Sequence, residues 1–359
     1  MSIFGVFRGS HMKIADFDFT LPEELIAQHP ALERDDSRMM LIRRETGERE
    51  HLRFRDLPDI LGPEYFLVVN ETRVFPARLQ ARRPGKNEAI EILLLREESP
   101  GRWLALTKPG RKTPVGQRLQ IGDIKAGVSA ITESGSRIIE FYGFERGENL
   151  PEVFEKIGAP PTPPYIRRKD SGDTAEDRLR YQTVYARQSG SVAAPTAGLH
   201  FTEEVLQRLD AKGVSVCKIL LHVGYGTFKP VRAENVEEHK MESEFYSVDA
   251  ENAARIRALK DEGRHLVAVG TTSTRCLEYL ARNKHSLEQA ASGYCDLFIY
   301  PGFEFRMLNG LITNFHLPKS TLFMLVSAFA GRELMLDCYR EAISRGYRFY
   351  SYGDCMLII

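Results

Sequence analysis

HLVAVGTTSTRCLEYL, residues 265–280, decides the fold class. An apolar strand over 264–270 ends at Gly270, and Thr271, Thr272 and Ser273 then open a helix over 273–283. Strand, glycine and helix in that order form the repeating unit of an open α/β sheet. Outward from it the alternation continues. Upstream lie a helix over 202–211, a strand over 214–222 and a helix over 249–262. Downstream lie a strand over 296–300, two helices between 320 and 345, and a last strand over 347–351. Helix starts at strand ends are also where open sheets bind anions, through free N–H groups and the helix dipole. Ordinary capping explains Thr271, Thr272 and Ser273 equally well.

Further upstream the pattern changes. A strand over 66–70 is followed by RVFPARLQARR, AIEILLLREE, RWLALTKP, QRLQIGD, AGVSAITES and SRIIEFYGF, short strand-like runs between glycines, prolines and charged turns across 73–144. That spacing predicts a small all-β barrel or sandwich. GAPPTPPYIRRKDSGD, from 158, is too proline-rich for regular structure and reads as a linker or an extended binding arm. TLPEELIAQHP, 20–30, carries a capping Thr, early acids and a terminal proline, and predicts one short helix. The expected fold is α/β: a layered α/β sheet domain over 12–72 and 156–359, interrupted by an inserted β-barrel domain over 73–155. Residues 1–11 contain GSH before Met12, a remnant left by expression vectors, and are set aside.

Lys plus Arg and Asp plus Glu each total 49, so overall charge points to no polyanion. Its distribution is uneven. Residues 76–120 hold ten basic against four acidic side chains, and 121–160 hold four against seven. The basic half suits a phosphate backbone, although a solvated surface is the commoner meaning of such a patch. Five cysteines stand far apart with no zinc spacing, so no metal is expected and a reducing cytoplasm is. The longest apolar stretch, 322–330, is too short to span a bilayer, which takes about 20 residues.

Four blocks are polar or glycine-rich where a core would be apolar. SVAAPTAGLHFTEE, 191–204, contains Thr196 and puts His200 just before a capped helix. LHVGYGTFKPV, 221–231, brings His222 out of a strand and past Gly224 and Gly226 to Thr227; the third glycine and the immediate helix of a dinucleotide fingerprint are missing. The opening quotation is the third block. LITNFHLPKSTLFMLVSAFAG, 311–331, crowds Thr313, Asn314, His316, Lys319, Ser320 and Thr321 before an apolar helix; Pro318 stands where a phosphate-cradling Lys-Ser motif needs glycine. A lone histidine in such a place is more often structural than catalytic.

VAAPTAGLHFT, HVGYGTFKPV, EEHKMESE, VGTTSTR, FIYPGFEF, LITNFHLPKSTLFMLVSAFAG and YRFYSYGDCMLI, with DFDFTLPEELIAQHP and VNETRVFPARL before them, resemble in order the signature blocks of the S-adenosylmethionine:tRNA ribosyltransferase-isomerase family. Tyr225, Thr274 and Glu71 depart from its usual residues. The resemblance implies an α/β domain interrupted by a β-barrel. It also implies ribosyl transfer from S-adenosylmethionine, consumed as a substrate with no other cofactor, to preQ1 at the wobble position of tRNA. Epoxyqueuosine, adenine and methionine are the products.

Such a reaction needs two or three converging acid/base groups. His200 is expected to transfer the proton, with His222 and His316 as partners and Glu237, Glu238 and Asp354 in reserve. Thr196, Gly224, Gly226, Thr227, Thr271, Thr272, Ser273, Lys319 and Ser320 are expected to hold S-adenosylmethionine, its carboxylate at 271–273. Arg78, Arg82, Arg83, Lys86, Arg111, Lys112, Arg167, Arg168 and Lys169 are expected to bind tRNA. A cytoplasmic monomer without membrane attachment follows. Two other readings remain, an S-adenosylmethionine-dependent RNA methyltransferase and a non-enzymatic RNA-binding protein.

Overall fold

A computed structural model describes residues 12–143, 150–163, 165–166, 175–224, 226, 231, 233–282, 287 and 289–359. In chain order, β1 (Arg38–Ile42) and β2 (Arg49–Arg53) precede α1 (Leu57–Ile60) and β3 (Tyr65–Asn70). Next come β4 (Thr72–Val74), β5 (Arg78–Arg82), β6 (Ala89–Ser99), β7 (Arg102–Lys108), β8 (Arg118–Ile121), β9 (Ile124–Ile131) and β10 (Arg137–Tyr142). After α2 (Leu150–Ile157), α3 (Ala175–Arg180) and β11 (Gln188–Ser191), the chain forms α4 (Glu203–Ala211), β12 (Ser215–Leu221), β13 (Glu244–Val248), α5 (Ala250–Asp261) and β14 (His265–Val269). It ends with α6 (Thr271–Arg282), β15 (Ala291–Cys295), β16 (Gly310–Asn314), α7 (Thr321–Ala330), α8 (Arg332–Ser344) and β17 (Cys355–Ile358).

The chain divides into two compact units. The first takes residues through Asn70, Thr196–Leu221 and those from Gly226 onward; the second takes Glu71–Pro195 and His222–Tyr225. The first holds a nine-stranded sheet in the order β15-β13-β12-β3-β14-β16-β17-β1-β2. β12, β3, β14 and β16 run parallel side by side, and antiparallel pairs flank them. The inner strands are buried almost end to end, YFLVVN in β3 and GLITN in β16, because helices cover a parallel sheet on both faces. Thr202 and Asp249 cap α4 and α5 by accepting from Val205 N and Asn252 N.

The second unit holds a closed barrel, β10-β7-β6-β5-β8-β9, every neighbouring pair antiparallel. Burial alternates along β5 and β6, so Leu79, Ala81, Ile90, Ile92 and Leu94 fill the interior. Phe154 of α2 joins that core, edge-on to Phe141 and Trp103 with ring centroids 5.1 and 5.6 Å away. The α/β class with an inserted barrel is thus the observed architecture. The second unit is wider than 73–155. The stretch from 158 does not run free: Ala159 pairs with Arg78 of β5, and the Arg78 guanidinium donates to Thr162 O at 2.7 Å.

Three expected elements differ. Residues 20–30 form one 3-10 turn, Glu23–Leu25, not an α-helix, because the backbone beyond it is taken by Phe349, which accepts from Ala27 N and donates to Leu25 O. The strand expected over 296–300 lies at Ala291–Cys295, where β13 offers a ladder. Residues 347–351 bend rather than extend, since Tyr350 has a positive φ of 74°; the last strand is Cys355–Ile358, paired with β1 and β16. Among the described residues no helix is long and apolar enough to cross a membrane.

Candidate active site

In the first unit, polar side chains gather where β3 and β16 end. Asn314 closes β16, and its amide links three segments. Its Oδ1 accepts from Thr196 Oγ1 at 3.1 Å, and its Nδ2 lies 3.2 Å from both Tyr350 O and His200 Nε2. As Nδ2 is a donor, His200 Nε2 is the acceptor and the ring carries its proton on Nδ1. His200 is only 3% exposed and packs on the Phe54 ring at 5.3 Å. Burial, with the Arg348 and Arg34 guanidinium charges, drives its pKa down to about 3, against a hydrogen bond to the Arg34 backbone that raises it. His316 is buried likewise, its Nε2 2.9 Å from Thr313 Oγ1, and burial alone brings its pKa to about 3. The Tyr339 hydroxyl accepts from His316 N at 2.9 Å.

Asn70 does for β3 what Asn314 does for β16. Its Oδ1 accepts from Leu221 N at 3.0 Å and its Nδ2 donates to Leu221 O at 2.8 Å, with Thr272 Oγ1 3.5 Å away. The end of β12 and the start of α6 are thereby fixed to one side chain. Asn70 carries no sequence signal except that it is the first polar residue after an apolar strand. α6 begins two residues earlier than expected, so Thr271, Thr272 and Ser273 form its first turn and all are buried. Ser273 Oγ donates to Val269 O at 2.7 Å, which leaves backbone N–H groups rather than that hydroxyl to meet an anion. Ser320 caps α7 by accepting from Phe323 N, and Lys319 pairs with Asp18 at 2.6 Å.

His222 belongs to the second unit, so the three histidines do not share one compact unit. Its Nδ1 lies 2.9 Å from Thr72 Oγ1, and burial lowers its pKa to about 4. The ring rests on Gly190, where φ is +151° and a Cβ would come within 2.5 Å of His222 Nε2; no other residue fits there. Gly224 falls in the second unit and Gly226 in the first. The reserve carboxylates have other partners. Asp354 accepts from Arg38 N and Arg348 N, Glu237 from Met12 N, and Glu238 from Asn235 Nδ2.

The barrel cations divide into two groups. Glu88 binds both Arg83 and Lys112 at 2.8 Å, and these hydrogen bonds lower its pKa. Arg78 pairs with Glu91 at 3.7 Å. Arg82, Lys86 and Arg111 make no ion pair among the described residues. Thr227, Arg167, Arg168 and Lys169 lie outside the described residues.

The family model described as "Queuosine biosynthesis protein" matches residues 14–358. A protein of Halothermothrix orenii named S-adenosylmethionine:tRNA ribosyltransferase-isomerase is 49% identical over 350 residues, 97% of this chain and 100% of the relative. One of the same name from Symbiobacterium thermophilum is 51% identical over the same shares. The crystal structure of S-adenosylmethionine tRNA ribosyltransferase from Thermotoga maritima is 38% identical, with a TM-score of 0.55 over 96% of this chain and 100% of that one. With matches that run through every signature block and both compact units, the chain belongs to the queuosine biosynthesis protein family.

Proposed function

We propose that the chain transfers the ribosyl group of S-adenosylmethionine to preQ1 at the wobble position of a tRNA and isomerises it, releasing adenine and methionine and leaving epoxyqueuosine. The observation that carries this reading is likeness along the whole length to relatives that bear the name of that reaction. The sulfonium acidifies the ribose 5′ carbon, and departing adenine needs a proton. Both steps call for a group that takes and gives a proton in place.

His200 fills that role. Its imidazole is neutral at neutral pH and Asn314 sets its orientation, so Nε2 takes a proton once substrate displaces the Asn314 N–H from it. His316 and His222, also neutral, serve as hydrogen-bonding partners of substrate. The N–H groups of Thr271, Thr272 and Ser273 receive the methionine carboxylate, and Thr196, Gly224, Gly226, Thr227, Lys319 and Ser320 are the further residues assigned to S-adenosylmethionine. The barrel cations with Arg167, Arg168 and Lys169 follow the RNA backbone. The enzyme works as a cytoplasmic monomer without a further cofactor.

Purified His200→Ala is expected to bind S-adenosylmethionine normally and to release adenine about 10²–10⁴-fold more slowly with preQ1-containing tRNA. Near-normal release would remove His200 from the chemistry. Identifying the small products settles the class: adenine and methionine support ribosyl transfer, whereas S-adenosylhomocysteine marks methyl transfer. Bound RNA without any product marks a binding protein.

A further inference from the structure

Two blocks, EEHKMESE and FIYPGFEF, meet on a buried ion pair that takes no part in the chemistry above. β13 runs antiparallel to β12, and β15 antiparallel to β13. The start of β13 and the end of β15 therefore lie at the edge of the sheet where β12 ends, which Asn70 ties to the end of β3. Open α/β sheets bind ligands along that edge. Glu244 opens β13, and Arg275 stands in the second turn of α6; both are buried. The Arg275 guanidinium donates to the Glu244 carboxylate through Nη1, to Leu297 O through Nε at 2.9 Å and to Cys295 O through Nη2 at 3.4 Å.

Burying two charges costs desolvation that a well-packed apolar pair avoids, so such a pair stabilises a fold weakly. What a guanidinium adds is a rigid fork of donors. Here the fork fixes two irregular segments at once, the one that enters β13 and the one that leaves β15. In the second, Ile299 is buried while Phe298 and Tyr300 on either side of it stay half-buried, their ring centroids 5.1 Å apart. His239, from the first, stands edge-on to Phe298 at 5.1 Å, and burial lowers its pKa, so this ring is neutral too. α6 also holds the far end of the same loop, because the Glu278 carboxylate accepts from Arg306, Met307 and Leu308 N.

Three rings thus stand on a fixed frame at the carboxyl edge of the sheet, joined by Arg275 to the helix whose first turn is assigned to the methionine carboxylate. Rings left half open at such an edge take the flat face of a base. In S-adenosylmethionine that base is adenine.

We propose that Arg275 and Glu244 are positioning residues for S-adenosylmethionine: without touching it, they hold Phe298 and Tyr300 where the rings stack on its adenine. This role rests on the reaction proposed above. Its test is steady-state kinetics of full-length protein, with KM measured separately for S-adenosylmethionine and for preQ1-containing tRNA, and with the small products identified.

Phe298→Leu is expected to raise KM for S-adenosylmethionine about tenfold, with kcat and the KM for tRNA within about threefold of wild type. Arg275→Lys keeps the charge but cannot reach Glu244 and both carbonyls together, and it gives the same signature. Replacing the pair by Arg275→Met with Glu244→Leu restores the melting temperature without restoring that KM, which separates positioning from stability. A KM for S-adenosylmethionine within about twofold of wild type in Phe298→Leu and Arg275→Lys overturns the proposal. So does an equal rise in both KM values, which marks a general loss of fold, or a rise for tRNA alone, which puts the rings against an RNA base. Product identity reads the reaction independently: S-adenosylhomocysteine in place of adenine and methionine rejects ribosyl transfer, while the KM values still decide the role of the pair.

Discussion

At the scale of single residues, His200 and His316 are neutral imidazoles, both with pKa values near 3, below the ordinary 6.5. Between those limits the unfolded chain binds protons that the folded chain refuses, so stability is complete above pH 6.5 and falls as pH drops toward 3. Each histidine contributes a slope of about 1.4 kcal/mol per pH unit around pH 5, where ordinary carboxylates are still mostly ionised. Urea unfolding between pH 5 and 7 is expected to give a mean stability slope shallower by about 1 kcal/mol per pH unit in His316→Gln than in wild type. An unchanged slope would mean that His316 is not held neutral by burial. Both histidines were legible in the sequence as polar residues beside apolar runs. Their shared surroundings were not, because no spacing rule joins Thr196, His200 and Asn314, which meet only where β16 ends.

Among the elements, those with a strong apolar pattern of their own were legible: β3, β14, α7 and the six barrel strands. Those decided by distant partners were not. Residues 20–30 are shaped by Phe349, and 347–351 by the turn at Tyr350, neither of which is local. Glu278 shows the same limit on α6. In the sequence it is one more acid on an amphipathic helix, yet in the fold it is 0% exposed. Its carboxylate accepts N–H bonds from Arg306, Met307 and Leu308 and pairs with Arg282 at 2.9 Å. This one side chain sets the loop that delivers β16, and so Asn314, to the site. Glu278→Gln turns an acceptor of several donors into a group that is half donor. It is expected to lose about 3 kcal/mol of stability in urea unfolding. A change below about 0.5 kcal/mol would show that the loop is held by other means.

For the whole molecule, the chain passes between its compact units after Asn70, Pro195, Leu221 and Tyr225, and each passage lies within a signature block or at its edge. Those blocks must therefore satisfy two cores as well as any chemistry, which is why their sequences read as neither clean strand nor clean helix. RNA binding also belongs to this scale, because it sums charges over a surface. The ten basic residues counted over 76–120 overstate what is free, since Glu88 neutralises Arg83 and Lys112 and Glu91 pairs with Arg78. Arg96 and Arg102 are paired as well, and of the residues without an ion pair among those described, Arg82, Lys86 and Arg111 are the ones expected to displace counterions from RNA. Replacing these three by Gln is expected to flatten the plot of log affinity against log salt by about 2, at about 0.7–0.9 for each lost phosphate contact. Replacing Arg83 and Lys112 together is expected to change it by less than about 0.5, because their charge is already compensated in the free protein. Equal losses from both sets would show that RNA draws Arg83 and Lys112 away from Glu88. Glu88→Gln should then raise RNA affinity at low salt, and that gain should vanish as salt screens the released cations.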